Sequence, residues 1–91
     1  MLVVVVYDIP NDKRRLKLSN LLEGYGRRVQ YSVFECFLSL TQMRKLCIRV
    51  KQQIDMTEDN VRFYWISADA MTKTLTLGSD PPKPPPNAYI V

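Results

Sequence analysis

Residues 2–8, LVVVVYD, decide the fold because they form a run of mostly β-branched apolar side chains that ends on a carboxylate. The run is apolar on both alternations as far as Tyr7, so it predicts a central strand that is covered on both faces. A proline follows, and then Asn11 and Asp12, either of which can cap the helix that begins there. Asp8 therefore lies at the carboxyl end of a strand, where it is either a ligand-binding residue or a turn residue.

Apolar side chains at helical spacing predict two helices downstream. The first covers residues 13–25, and Gly26 is expected to close it in the left-handed conformation. The second begins at Thr41 as its cap and runs past residue 50. Their apolar stripes are Leu18, Leu21, Leu22 and Tyr25 in the first helix, and Met43, Leu46, Cys47, Val50 and Ile54 in the second.

Two further stretches have the β-branched and aromatic composition of strands. Residues 28–39, RVQYSVFECFLS, form either one long strand or two strands that meet near Ser32. Residues 61–67, VRFYWIS, form another strand. With a pair in the middle, the order is βαββαβ, the ferredoxin-like pattern of an α+β protein.

In this arrangement the two helices cover one face of the sheet and leave the other face bare. The first strand is nevertheless apolar on both sides, so the bare face needs a cover. A second copy of the chain is the simplest cover, and the sequence therefore predicts a homodimer.

Composition narrows the possible chemistry. The chain has 91 residues, a net charge of +4 and no histidine. The absence of imidazole excludes most serine or cysteine triads, so hydrolysis would depend on carboxylates with a hard cation such as Mg²⁺. Cys36 and Cys47 are expected to be reduced thiols. No apolar run approaches the roughly 18 residues that span a bilayer, and a cytoplasmic protein without a membrane partner is expected.

The positive charge is concentrated in clusters. Four cations stand in the first turns of the first helix, where they oppose the helix dipole but would favour phosphate, and two more precede the next strand. The candidate nucleic-acid-binding residues are Lys13, Arg14, Arg15, Lys17, Arg27 and Arg28. Arg44, Lys45, Arg49 and Lys51 on the second helix are interpreted as a solvated face.

The first 67 residues form the ferredoxin-like domain, and residues 68–91 form a carboxyl-terminal extension. MTKTLTLG, residues 71–78, predicts an edge strand, and PPKPPP, residues 81–86, predicts a polyproline II arm. The arm ends in the apolar AYIV. The extension is expected either to reach a partner protomer or to be a frayed end.

The segments VVVVYDI, DKRR, YGRRVQYSVFEC and FLSLTQMRKL together resemble the CRISPR-associated Cas-two family over residues 1–67. The resemblance implies a ferredoxin-like homodimer with face-to-face sheets, whose late strand joins the partner's sheet. It implies that Asp8 binds Mg²⁺ at a site shared at the dimer interface. It also implies Arg15 and Arg28 as catalytic residues, with Tyr7 and Phe34 beside the site.

Two functions follow from the resemblance. One is a Mg²⁺-dependent endonuclease that acts on single-stranded RNA or double-stranded DNA in defence against foreign nucleic acid. The other is a catalytically silent scaffold that bridges integrase subunits during spacer acquisition. A toxin-like messenger-RNA nuclease of similar fold is a third, weaker alternative. The small number of carboxylates favours the scaffold, whereas a single aspartate flanked by cations favours the nuclease.

Overall fold

The computed structural model of the chain describes residues 1–78 and 80–84. Its elements follow the predicted βαββαβ order, with one short helix added at the end. They are β1 (Leu2–Asp8), α1 (Asp12–Glu23), β2 (Arg27–Gln30), β3 (Val33–Phe37), α2 (Leu40–Gln53), β4 (Asn60–Ile66) and α3 (Ala68–Thr72).

The four strands form one antiparallel sheet in the order β2-β3-β1-β4. β1 is central, and its Val5 stands opposite Phe34 on one side and Phe63 on the other. The stretch 28–39 contains two strands rather than one long strand, which confirms the alternative of two strands that meet near Ser32. A bend at Tyr31 and Ser32 separates them, and the ladder is irregular between Arg28 and Gln30.

The core lies between the sheet and the two long helices. The predicted apolar stripes face it, with Leu18 and Leu22 from α1 and Leu46 and Val50 from α2 all buried. Alternate residues of the strands meet them, because strand side chains point to opposite faces in turn. The residues that the central strands contribute to this cluster are Val3, Val5, Tyr7, Phe34 and Cys36.

The other residues of the strands form the second face of the sheet, which we call the open face. Val4 and Val6 of β1 lie there, flanked by Val33 on β3 and Tyr64 on β4. Val4, Val6 and Val33 are only half-buried and Tyr64 is exposed. Among the described residues, α1 and α2 cover one face of the sheet only, as predicted, and α3 lies beside Leu2 and Ile66 at one end of the other face.

Two of the predicted helix boundaries are wrong. The cap of α2 is Ser39, not Thr41, because the Ser39 hydroxyl accepts from the Gln42 amide while the Gln42 side chain accepts from the Ser39 amide. Helix α1 ends at Glu23 with Gly24 as its cap. Gly26 is not left-handed, since Gly78 is the one described glycine with a positive φ. Gly26 is needed because the backbone of β3 passes close to it: a Cβ on Gly26 would lie 2.4 Å from the Glu35 carbonyl oxygen.

The carboxyl-terminal extension differs from the sequence prediction at its start. Residues 71 and 72, predicted to begin a strand, belong to α3, which Ser67 caps through a hydrogen bond from the Ala70 amide. Residues 73–78 pair with no strand of this chain within the described ranges. An edge strand there stays a prediction for an assembly of two chains. The apolar AYIV and the last two prolines of PPKPPP lie outside the described residues.

None of the helices in the part of the chain that the structure describes is long and apolar enough to cross a bilayer.

Candidate functional site

A cleft of about 260 Å³ opens between α1 and the bend that joins β2 to β3. We call it the arginine cleft because two guanidinium groups line it. It lies on the helix side of the sheet, at the end where β1 finishes. Its lining residues are Tyr7, Asp12, Arg15, Leu16, Ser19, Arg28 and Tyr31.

Arg28 is positioned by neutral acceptors. Its Nη1 donates to the Tyr31 carbonyl oxygen at 2.6 Å, and its Nη2 donates to the Ser19 hydroxyl. The guanidinium carbon lies 5.1 Å from the centroid of the Phe34 ring, within cation–π distance. Glu23 is the nearest carboxylate, 3.7 Å from Nη2, and it is itself largely exposed. Arg28 is therefore held in one orientation while much of its charge remains available to an anion.

Arg15 enters the same cleft from the first turn of α1. Its Nη1 donates to the Ile9 carbonyl oxygen at 2.9 Å, and its Nη2 contacts the Asp12 carboxylate. The guanidinium lies 6.0 Å from the centroid of the Tyr31 ring. Asp12 is exposed, so its ion pair with Arg15 is a weak, solvent-screened one. Arg15 is thus the second cation of the cleft.

Tyr7 lines the cleft, and Phe34 is buried against it beneath the surface. Their rings are stacked with centroids 6.4 Å apart, and the Tyr7 hydroxyl donates to the Tyr31 carbonyl oxygen at 3.4 Å. Burial raises the pKa of Tyr7, and the positive charge of Arg28 only partly opposes that effect. Tyr7 is accordingly a neutral phenol at physiological pH, suited to donating a hydrogen bond rather than to acting as a base.

Asp8 does not line the arginine cleft. It pairs with Asn60 at the end of β1, and it is exposed. Because Tyr7 points into the core, the next residue points to the opposite side, at the rim of the open face. The structure therefore brings Arg15, Arg28, Tyr7 and Phe34 together, and places Asp8 across the sheet from them.

A single chain does not supply a metal site around Asp8. Among residues 1–78 and 80–84, no three histidine, cysteine, aspartate or glutamate side chains lie close enough together to hold a metal ion. Magnesium sites in proteins use one or two carboxylates together with waters and substrate phosphates, so Asp8 offers one ligand of such a site.

The other predicted nucleic-acid contacts have three different surroundings. Arg14 is committed within the protein, because its Nε and Nη2 donate to the two carboxylate oxygens of Asp59 at 2.8 and 3.1 Å. Lys13 and Lys17 are exposed on α1, where they can meet solvent or an anion. Arg27 stands opposite Glu35 on the open-face side of β2, and burial raises the pKa of Glu35 while Arg27 lowers it.

Sequence reasoning missed three residues of functional interest. Ser19 and Tyr31 position Arg28, and the buried side chain of Asp59 positions Arg14. A serine within an otherwise apolar helix stripe was a usable signal for the first. No local pattern marks Tyr31 or Asp59, because Tyr31 contacts Arg28 across a bend and Asp59 contacts Arg14 from far along the chain.

Comparison with known proteins gives one consistent family. Residues 1–74 match the family described as CRISPR associated protein Cas2. A relative from Synechocystis sp., named CRISPR-associated endoribonuclease Cas2 3, is 47% identical over 90 residues, covering 99% of this chain and 98% of the relative.

Solved structures agree. The crystal structure of Streptococcus pyogenes Cas2 superposes with a TM-score of 0.73 at 35% identity, covering 86% of this chain and all of that one. A chain of a partial Cas6-RT-Cas1–Cas2 complex superposes with a TM-score of 0.72 at 37% identity, covering 88% and 93% of the two chains.

Proposed function

The chain belongs to the CRISPR-associated protein Cas2 family, and from this premise we propose that it is a metal-dependent endonuclease of CRISPR adaptation. It acts as a homodimer that binds nucleic acid and cleaves phosphodiester bonds. Relatives named as Cas2 endoribonucleases support the reaction class. The similarity to them extends over nearly the whole length of both chains.

The arginine cleft is the observation that carries the proposal. Arg15 and Arg28 are both held at the same opening by carbonyl and hydroxyl oxygens, and the carboxylates that pair with them, Asp12 and Glu23, are exposed. A guanidinium that is fixed without being fully neutralised is suited to phosphate, which it can meet with two parallel hydrogen bonds.

The open face supports the homodimer. Half-buried valines lie at its centre beside the exposed Tyr64, and contiguous apolar surface of this kind marks a site of protein interaction. Two copies related by a twofold axis would bury Val4, Val6 and Val33 against the same residues of the second copy. Asp8, at the rim of this face, would then be near the interface in both copies.

Two Asp8 carboxylates across such an interface provide the minimum set for a divalent cation, which we propose is Mg²⁺. A cation held there would polarise a phosphodiester and lower the pKa of a bound water. Each chain's own part is to supply one of the two carboxylates and to hold the phosphate backbone through its arginine cleft. It has no histidine that could serve as a general base.

A second candidate function rests on a different observation. In the described residues, no three histidine, cysteine, aspartate or glutamate side chains form a group that could hold a metal ion, and a similar chain has been solved within a Cas6-RT-Cas1–Cas2 complex. In this alternative, the dimer is a basic cytoplasmic platform that sets the spacing of two integrase subunits. Asp8 is then only a residue at the end of a strand.

Nuclease assays on purified wild type and Asp8→Ala separate the two candidates. The enzyme proposal predicts that the wild type cleaves single-stranded RNA or duplex DNA with Mg²⁺, and that chelator or the substitution abolishes cleavage. If the wild type does not cleave, or if both proteins cleave alike, the scaffold function stands instead.

A further inference from the structure

Helix α2 carries four cationic side chains and no acidic one. Its sequence is LTQMRKLCIRVKQQ, and its inner side is buried through Leu46 and Val50. The four cations are all exposed, and composition alone suggested nothing more than a solvated surface. We call this surface the α2 basic face; it consists of Arg44, Lys45, Arg49 and Lys51.

Ion pairs within the protein do not neutralise this charge. The cations that pair with carboxylates in residues 1–78 and 80–84 belong to other elements, and they are Arg14, Arg15, Arg28, Lys73 and Lys83. Arg49 donates to the Tyr25 hydroxyl at 2.7 Å and lies 5.7 Å from the centre of its ring. Those contacts orient Arg49 but leave its charge in place.

The needs of the helix do not explain the charge either. Lys51 lies in the last turn, where a cation complements the helix dipole. Arg44 and Lys45 lie in the first half, where that benefit is absent. Lys45 and Arg49 are one turn apart on the same side, and like charges at that spacing destabilise a helix. A ligand of opposite charge would offset this repulsion.

We propose that the α2 basic face binds the phosphate backbone of duplex nucleic acid, as a contact surface separate from the arginine cleft. The inference rests on the proposed function, which makes a nucleic acid the partner. All the charged residues of the α2 basic face are positive. A surface with only positive charge suits a ligand that carries negative charge along its whole length, such as a phosphate backbone. Such binding is independent of base sequence.

The position of α2 makes this surface available in the assembly. Helices α1 and α2 pack on the side of the sheet opposite the open face, so two copies that associate through their open faces leave both α2 basic faces exposed. Each dimer then offers one such surface on either outer side. A duplex that reaches past the dimer interface would meet one of them.

The experiment compares two double variants of the full chain. Arg44→Gln/Lys45→Gln removes two charges from the α2 basic face with a residue that suits a helix. Lys73→Gln/Lys83→Gln removes two charges from the carboxyl-terminal extension and is the matched control. Each protein is titrated with a labelled DNA duplex over a range of salt concentrations, and thermal melting establishes that each is folded.

If the α2 basic face binds phosphates, the α2 variant binds the duplex more weakly at low salt. The slope of log K against log salt becomes shallower by about 0.9 for each phosphate that the variant no longer neutralises, or roughly 1.8 for two. The control variant keeps the wild-type slope. A folded α2 variant with the wild-type slope would overturn the inference.

Failure of this inference and failure of the proposed function give different results. If Arg28→Gln weakens duplex binding while the α2 variant does not, the arginine cleft binds the backbone and the α2 basic face does not. If the wild type binds no duplex at all, both the inference and duplex binding by the cleft are overturned.

Discussion

The Arg14 guanidinium donates hydrogen bonds to both oxygens of the Asp59 carboxylate, at 2.8 and 3.1 Å, and so connects the first turn of α1 to the loop before β4. The Asp59 side chain is fully buried, and it also accepts from the Asp55 amide at 2.8 Å. Glu58 adds a second, exposed carboxylate 3.3 Å from Arg14. An arginine that the sequence marked as a phosphate contact is thus engaged in holding the fold together.

Arg14→Ala is therefore expected to destabilise the protein, because it leaves the Asp59 carboxylate buried without its partner. The melting temperature should fall by several degrees, since small domains respond by about 4–8 °C per kcal/mol. Lys13→Ala, one residue away and exposed, is the control and should melt like the wild type. Arg14→Lys should be intermediate, because lysine keeps the charge but not the two-point contact. Equal melting of all four proteins would contradict this role.

The same pair predicts a pH dependence. The hydrogen bond from Arg14 lowers the pKa of Asp59 in the folded protein. A carboxyl with a lowered folded pKa stabilises the fold above its ordinary pKa, and this stabilisation is lost as pH falls through the lowered value. The gap in melting temperature between wild type and Arg14→Ala should be constant near neutrality and should close below about pH 4. A gap that persists unchanged into acid would show that the ion pair is not its cause.

Gly26 and Gly24 provide a matched pair of substitutions. A Cβ on Gly26 would lie 2.4 Å from the Glu35 carbonyl oxygen and 2.5 Å from Cys36 Sγ, whereas one on Gly24 meets its nearest atom at 3.4 Å. Gly26→Ala should therefore lower the free energy of unfolding by about 1–3 kcal/mol, as overpacking does. Gly24→Ala should be close to neutral, because Gly24 already has helical dihedral angles. Chemical denaturation measures both, and similar losses for the two would refute the close-approach explanation.

Dimerisation through the open face predicts that a charge at its centre separates the subunits. Val4 stands between Glu35 and Tyr64 on this face, so Val4→Lys would bury an ammonium group in the interface while Glu35 stabilises it in the monomer. Light scattering should show a monomer for this variant. Met56→Lys adds the same charge to an exposed loop residue and should remain dimeric. A Val4→Lys protein that stays dimeric would place the interface elsewhere.

The sequence predicted the elements that depend on local periodicity and missed those that depend on contacts between distant residues. The apolar stripes of α1 and α2 predicted the buried sides of these helices, and the apolar run of β1 predicted its central place in the sheet. Ser39, rather than Thr41, caps α2 because a capping box with Gln42 adds a second hydrogen bond. Residues 71 and 72 are helical because Ser67 caps the short helix α3, although the alternating threonines from Thr72 onward predicted a strand.

The candidate site was predicted as a set of residues, and the structure separates that set into two places. Arg15 and Arg28 share a cleft with Tyr7, while Asp8 lies across the sheet. Strand alternation alone could have predicted that adjacent residues 7 and 8 point apart. The pairing of Arg14 with Asp59 could not be predicted, because 45 residues separate the two in the chain.

Subunit mixing tests most directly whether two chains build one catalytic site from their Asp8 residues. Wild type and Asp8→Asn are combined in equal amounts, allowed to exchange subunits, and assayed for Mg²⁺-dependent cleavage of single-stranded RNA and duplex DNA. If both carboxylates are required, only wild-type pairs are active, and random pairing in a twofold dimer leaves about a quarter of the activity of wild type at the same total protein concentration. Activity of about one half would mean that each Asp8 acts alone, and no cleavage by the wild type would contradict the enzyme altogether.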